Sequence, residues 1–174
     1  MRLFIAIQLS DEMKSSLNGT VHALRKAGVR GSYVPEQNLH LTLAFLGEVP
    51  DTAAVREALR TVKFRPFRLS MEGLGNFGNL LWAGLKGSRE LDAAVQSVRG
   101  ALEEAGIAYD RKKFTPHITL IRRMQGSRDG ADVTKTSMTV REISLMKSEV
   151  KEGKRIYTEI FSIKGRTDKD ETEG

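Results

Sequence analysis

The sequence has no cysteine, only three histidines and four prolines, and 6% aromatic residues in 174. Each shortage excludes something. Without thiols there is no disulfide, thiolate zinc site, iron–sulfur cluster or cysteine nucleophile, and the chain suits a reducing compartment, so a cytoplasmic location is expected. Three histidines leave little for a metal centre. Long apolar runs are missing too. The early run of residues 3–7 is followed by Gln8, Ser10 and the acids Asp11 and Glu12. It is too short for a signal segment, and nothing approaches a membrane span of about 20 apolar residues.

What is present is 40% apolar residues, enough for the core of one domain, and 28 Lys plus Arg against 22 Asp plus Glu, a net charge of +6. The basic balance favours an anionic partner such as nucleic acid or a phosphorylated metabolite. Residues 2–9 read as a buried strand. Ser10 reads as the N-cap of a helix whose Met13, Leu17, Val21 and Leu24 share one face and which Gly28 stops. Tyr33, Val34 and Pro35 lead into a second strand, where a period of two sends Leu39, Leu41, Leu43 and Phe45 to one side and His40, Thr42, Ala44 and Leu46 to the other. Pro50 and Asp51 open a second helix, and Phe67, Leu69 and Met71 alternate as a strand. Residues 73–79 read as a glycine-rich turn, residues 80–85 as a strand, and Ser88 as the cap of a third helix with Leu91, Val95, Val98 and Leu102 inward. Residues 124–132 read as a mobile loop, residues 138–147 and 155–164 as two further strands, and 166–174 as a flexible acidic tail. This mixture predicts one α+β domain over residues 1–165 with mostly antiparallel sheets.

The chemical signal is an internal repeat. His40-Leu41-Thr42-Leu43 and His117-Ile118-Thr119-Leu120 are two copies of His-apolar-Thr-Leu, 77 residues apart, and they use two of the three histidines. One copy would be an ordinary half-buried strand with a structural histidine; two suggest a cleft with both imidazoles facing one substrate. Histidine is near half-protonation around neutral pH, so one imidazole accepts a proton while the other donates one. Phosphodiester hydrolysis needs both acts. The threonines sit two residues on, about 6.5 Å along each strand on the same face, where their hydroxyls reach phosphate oxygens. Arg122 adds a permanent cation beside the second copy, whereas Arg123 reads as peripheral.

The two motifs and their surroundings resemble the 2H phosphoesterase superfamily, and within it the RNA 2′,3′-cyclic phosphodiesterases, also called 2′-5′ RNA ligases. The resemblance runs through residues 2–7, Tyr33-Val34-Pro35, Asn38 to Leu43, Phe45-Leu46-Gly47, residues 81–85, Phe114 to Leu120, Arg122, Gly153 and Tyr157. It implies a bilobal α+β fold of two pseudo-symmetric halves around a central cleft, without metal or cofactor. The implied reaction opens 2′,3′-cyclic phosphate ends of RNA, tRNA fragments among them, to 2′-phosphomonoesters, and on suitable ends it forms 2′-5′ linkages without ATP. By the same resemblance His40 is the proton donor and His117 the acceptor, an order that a near-symmetric site leaves open on its residues alone. Thr42, Thr119 and Arg122 would hold the phosphate, and Phe114 and Tyr33 would line the cleft. A monomer is expected.

Other features have plainer readings. His22 faces away from its helix's apolar stripe, Trp82 reads as core, and Phe4 and Phe45 as packing residues. Residues 73–78 lack the lysine and strand-to-helix context of a phosphate loop. Arg111, Lys112 and Lys113 are either a solvated loop or a hold on RNA phosphates. The rival function is a non-catalytic basic RNA-binding module with structural histidines, which the sparse aromatic content weakens. A metal-dependent phosphodiesterase would need more ligands, since Glu36 is the only acid within four residues of either motif histidine. The charge is uneven: residues 111–128 hold six Lys or Arg and no acid, whereas residues 28–47 hold one Arg and one Glu. RNA phosphates are therefore expected mainly along the second lobe.

Overall fold

The computed structural model describes residues 1–167. Strand β1 (Arg2–Gln8) has two apolar faces, which is why its sequence is nearly continuous in apolar residues: Leu3, Ile5 and Ile7 enter the main core, while Phe4 and Ala6 form a smaller cluster with Met146 against Tyr157. Helix α1 (Asp11–Lys26) starts where the Ser10 hydroxyl accepts the Met13 N–H at 3.2 Å, with Asp11 and Glu12 at its positive end. Its four apolar residues are buried as their spacing predicts, and Gly28 follows at a φ of 86°. Helices α2 (Thr52–Arg60) and α3 (Arg89–Glu104) are capped in the same way by Asp51 and Ser88.

The remaining strands are β2 (Arg30–Tyr33), β3 (His40–Glu48), β4 (Phe67–Phe77), β5 (Leu80–Leu85), β6 (His117–Gln125), β7 (Ser137–Val140), β8 (Glu142–Lys151) and β9 (Lys154–Lys164). They form two antiparallel sheets, ordered β3-β1-β8-β9 and β2-β6-β5-β4-β7. The two sheets are not the two halves of the sequence. Between β1 and β3 the chain crosses to place β2 on the edge of the second sheet, and at the end it returns to add β8 and β9 to the first. One apolar cluster runs through both, from Leu3, Leu41 and Leu145 to Leu81, Ile118 and Val140. Among the described residues no helix is long and apolar enough to cross a membrane.

One strand is unforeseen, and two expectations are corrected. Strand β2 has no apolar alternation and is largely exposed; its pairing with β6, not its own pattern, makes it a strand. The single strand over residues 138–147 is two, divided at Arg141, because Ser137–Val140 pairs with β4 while the chain from Glu142 pairs with β1 and β9. The glycine-rich stretch 73–79 is mostly strand: β4 continues to Phe77 and only Gly78 and Asn79 turn. A Cβ on Gly75 would stand 2.2 Å from the Trp82 ring, so this glycine makes room for an indole lying across the hairpin. The acidic tail lies from residue 168 onward outside the described residues; before it, the Arg166 N–H donates to the Phe64 carbonyl at 2.7 Å.

Gly31 is the tightest backbone approach beside the second motif. Its φ is 151°, and a Cβ there would meet Ile121 Cγ2 at 2.6 Å and the Arg122 carbonyl at 2.9 Å. Gly31→Ala is expected to destabilise the fold by more than about 1 kcal/mol, read as a lower denaturant midpoint at unchanged slope.

Candidate active site

His40 and His117 are the first residues of β3 and β6, and the two strands begin with the same alternation: half-buried His, buried apolar, half-buried Thr, buried Leu. At that leucine both strands depart from it. In β3 the ladder pairs Ala6 with Thr42 and Ile5 with Ala44, passing over Leu43; in β6 it pairs Trp82 with Thr119 and Leu81 with Ile121, passing over Leu120. Each motif therefore ends in a β-bulge, which puts two consecutive residues inward and re-aims those that follow. The bulge carbonyls find partners outside that ladder: Leu43 accepts from Arg99 Nε at 3.2 Å and Leu120 from the Val34 N–H at 2.9 Å.

The bulges change the expected faces. Phe45, expected beside Leu41 and Leu43, is instead 51% exposed and lines the cleft. Arg122, which strict alternation would turn inward, reaches the same face as His117 and Thr119. Phe45 and Arg122 occupy equivalent places, five residues after each histidine.

Between the sheets lies a cleft of about 470 Å³ lined by both histidines, both threonines, Arg122, Phe114, Asn38 and Tyr157 among others. Of the residues expected at the site, Tyr33 alone is absent. It neighbours Val34, which does face the cleft; its own hydroxyl donates to the Val29 carbonyl at 2.7 Å and its ring carries the Arg25 guanidinium at 4.0 Å. The sequence reading also missed the walls behind the histidines. His40 packs against Phe4 at 4.8 Å and Tyr157 at 5.2 Å, and His117 against Phe77 at 5.4 Å and Trp82 at 6.2 Å. Trp82 is thus half-buried support for His117 rather than core. It shares that face because its ladder partner is Thr119.

Both rings are fixed by the same contact. Nδ1 of His40 lies 2.6 Å from the Asn38 carbonyl, and Nδ1 of His117 lies 2.6 Å from the Thr115 carbonyl. A carbonyl only accepts, so each Nδ1 carries a hydrogen and the working nitrogen is Nε2. Asn38 is buried and anchored through its own amide to the Arg155 carbonyl at 3.0 Å, which holds the first of these acceptors in place. The two Nε2 atoms differ. That of His40 is 2.8 Å from the Thr42 hydroxyl, whereas that of His117 has no partner among the described residues. Burial pushes the pKa of His40 down. The Asn38 carbonyl opposes this, and the charges of Arg122, His117 and Lys14 reinforce it. Among the described residues no three His, Cys, Asp or Glu side chains stand together as a metal site.

The basic segment before the second motif divides. Lys112 and Lys113 line the cleft, while Arg111 turns to Glu103 at 3.4 Å and lies over Tyr109 at 5.3 Å.

Comparison with known proteins identifies the family. Residues 13–152 match the family model of the 2′-5′ RNA ligase superfamily. An Archaeoglobus fulgidus protein named RNA 2′,3′-cyclic phosphodiesterase is 33% identical, the match covering 92% of this chain and 98% of that one. A Thermus thermophilus protein of the same name is 32% identical over 100% of this chain and 96% of its own. The crystal structure of E. coli LigT in apo form superposes with a TM-score of 0.82 at 28% identity, covering 95% of this chain and 98% of that one. LigT complexed with 3′-AMP gives 0.81 at 27% identity over the same shares. A match that spans both motif strands, with relatives aligned nearly end to end, settles the family: the chain belongs to the 2′-5′ RNA ligase superfamily.

Proposed function

We propose that the protein is an RNA 2′,3′-cyclic phosphodiesterase that opens the cyclic phosphate to a 2′-phosphomonoester through its two histidines. The observation that carries this reading is two imidazoles, each with Nδ1 pinned to a carbonyl and Nε2 directed to a shared cleft, in a chain whose relatives bear that name. His117, with its Nε2 free of partners among the described residues, takes the proton of a water in line with phosphorus. His40 protonates the departing 3′ oxygen. Thr42 and Thr119 donate hydroxyl hydrogens to the non-bridging oxygens, Arg122 balances the charge that grows on them, and Phe114 closes the cleft wall.

The depressed pKa of His40 belongs to the cleft before substrate enters. Burial is the main cause of that depression, and a phosphate anion placed beside His40 favours its protonated form against burial while offsetting the neighbouring positive charge. A 5′-hydroxyl in place of water would give a 2′-5′ linkage by the same steps, and tRNA fragments with cyclic ends fall within the substrate class.

Incubation with a short RNA ending in a 2′,3′-cyclic phosphate, in excess EDTA, is expected to yield the 2′-phosphate. A 3′-phosphate product would move the assigned bond. Salt-sensitive binding without turnover would favour an RNA-binding module.

A further inference from the structure

The ten residues 107–116 between α3 and β6 have no regular secondary structure, yet both lobes hold them. The Asp110 N–H donates to the Phe45 carbonyl at 2.8 Å, on the first sheet, and the Pro116 carbonyl accepts the Leu85 N–H at 3.1 Å, on the second. Arg99 clamps the middle, its Nη1 donating to the Lys112 carbonyl at 2.8 Å while its Nε holds the Leu43 bulge. The result is a strap that joins the two sheets and lines the cleft beside Phe45.

Two features of the strap and its neighbour are only partly used by the fold, the Phe45 ring touching Phe4 alone among the aromatic rings, at 6.1 Å between centroids. Phe45 is 51% exposed, turned outward by the bulge at Leu43, although a large apolar ring on a sheet would otherwise be buried. Lys112 has an 88% exposed side chain and only a 3.9 Å approach to Asp110, and Lys113 makes no ion pair among the described residues. Arg122 stands at the second motif and Arg99 is engaged by two carbonyls, so these lysines are the cleft cations left for a second phosphate. The first sheet contributes no Lys or Arg to the cleft lining. Within the cleft lining, the positive charge beyond Arg122 and the engaged Arg99 therefore lies on the strap, at Lys112 and Lys113, beside an exposed ring.

We propose that Phe45, Lys112 and Lys113 form a subsite for the nucleotide on the 5′ side of the cyclic end, Phe45 stacking its base and the two lysines holding its phosphate. The proposal rests on the function above and names its substrate class: oligonucleotide ends in preference to cyclic mononucleotides. Stacking is tolerant of base identity, so the subsite reads strand continuity and not sequence.

The test compares kcat/KM for a cyclic mononucleotide and for a trinucleotide with the same cyclic end. In the K112Q/K113Q variant the trinucleotide-to-mononucleotide ratio is expected to fall about tenfold. The slope of log kcat/KM against log salt for the trinucleotide should become shallower by about 0.7 for each phosphate no longer neutralised. Phe45→Ala is expected to lower the ratio by roughly tenfold and Phe45→Trp to restore it. A ratio that stays constant in these variants overturns the subsite. Absence of turnover on both substrates would instead overturn the proposed function. The subsite is then judged by anisotropy of a labelled single-stranded trinucleotide: a shallower salt dependence in K112Q/K113Q supports it, and an unchanged one overturns it.

Discussion

His40→Ala and His117→Ala are each expected to lower kcat by about 10²- to 10⁴-fold, with the double variant losing much less than the product of the two. The two imidazoles act on one displacement, so removing either leaves the other with a step it cannot complete alone. Folding should survive: both rings are half-buried at strand starts and belong to neither apolar cluster. The order of the roles is separable by changing the leaving atom. A cyclic substrate with sulfur in place of the 3′ oxygen expels a thiolate, which needs no proton. His40→Ala should then recover most of its loss on the sulfur substrate, while His117→Ala should be impaired equally on both. The opposite pattern would exchange donor and acceptor and leave the pair intact.

How much of this was legible in the sequence follows from what kind of interaction decides each feature. Ser10, Asp51 and Ser88 cap their helices because capping is local, fixed by a side chain and an N–H two or three residues away. The paired motifs were legible because repetition made them so, and the cleft face of His40 and Thr42 followed from a period of two. Phe45 and Tyr33 were not. The side Phe45 takes depends on which residue of β3 the opposite strand passes over, a property of pairing with β1 that β3 does not carry in its own alternation. Tyr33 lies in a strand that exists only through β6. Gly75 and Trp82 likewise explain one another across a hairpin, and neither alone announces the indole behind His117.

Arg122 is where the bulge bears on chemistry most directly, and Arg122→Gln is expected to lower kcat/KM by about 10²- to 10³-fold. Arg122→Lys, which keeps the charge but loses the planar fork, should lose less. A structural role would give no more than this loss; an electrostatic one also moves a titration. Arg122 is among the charges that hold the His40 pKa down, so its removal raises that pKa. The profile of kcat/KM reports the free enzyme, and with His40 as donor the protonated form is the active one. Activity in the natural protein should therefore fall as pH rises through a value below the ordinary histidine range. In Arg122→Gln that falling limb should shift to higher pH, and in Arg122→Lys it should stay near its original place. An NMR titration of the His40 ring would give the same direction without substrate. A limb that does not move in Arg122→Gln would mean that the guanidinium, though on the cleft face, does not act on the donor. If the rising limb moved instead, His40 would be the base, because the same cation would then be holding down the pKa of the group that must be deprotonated.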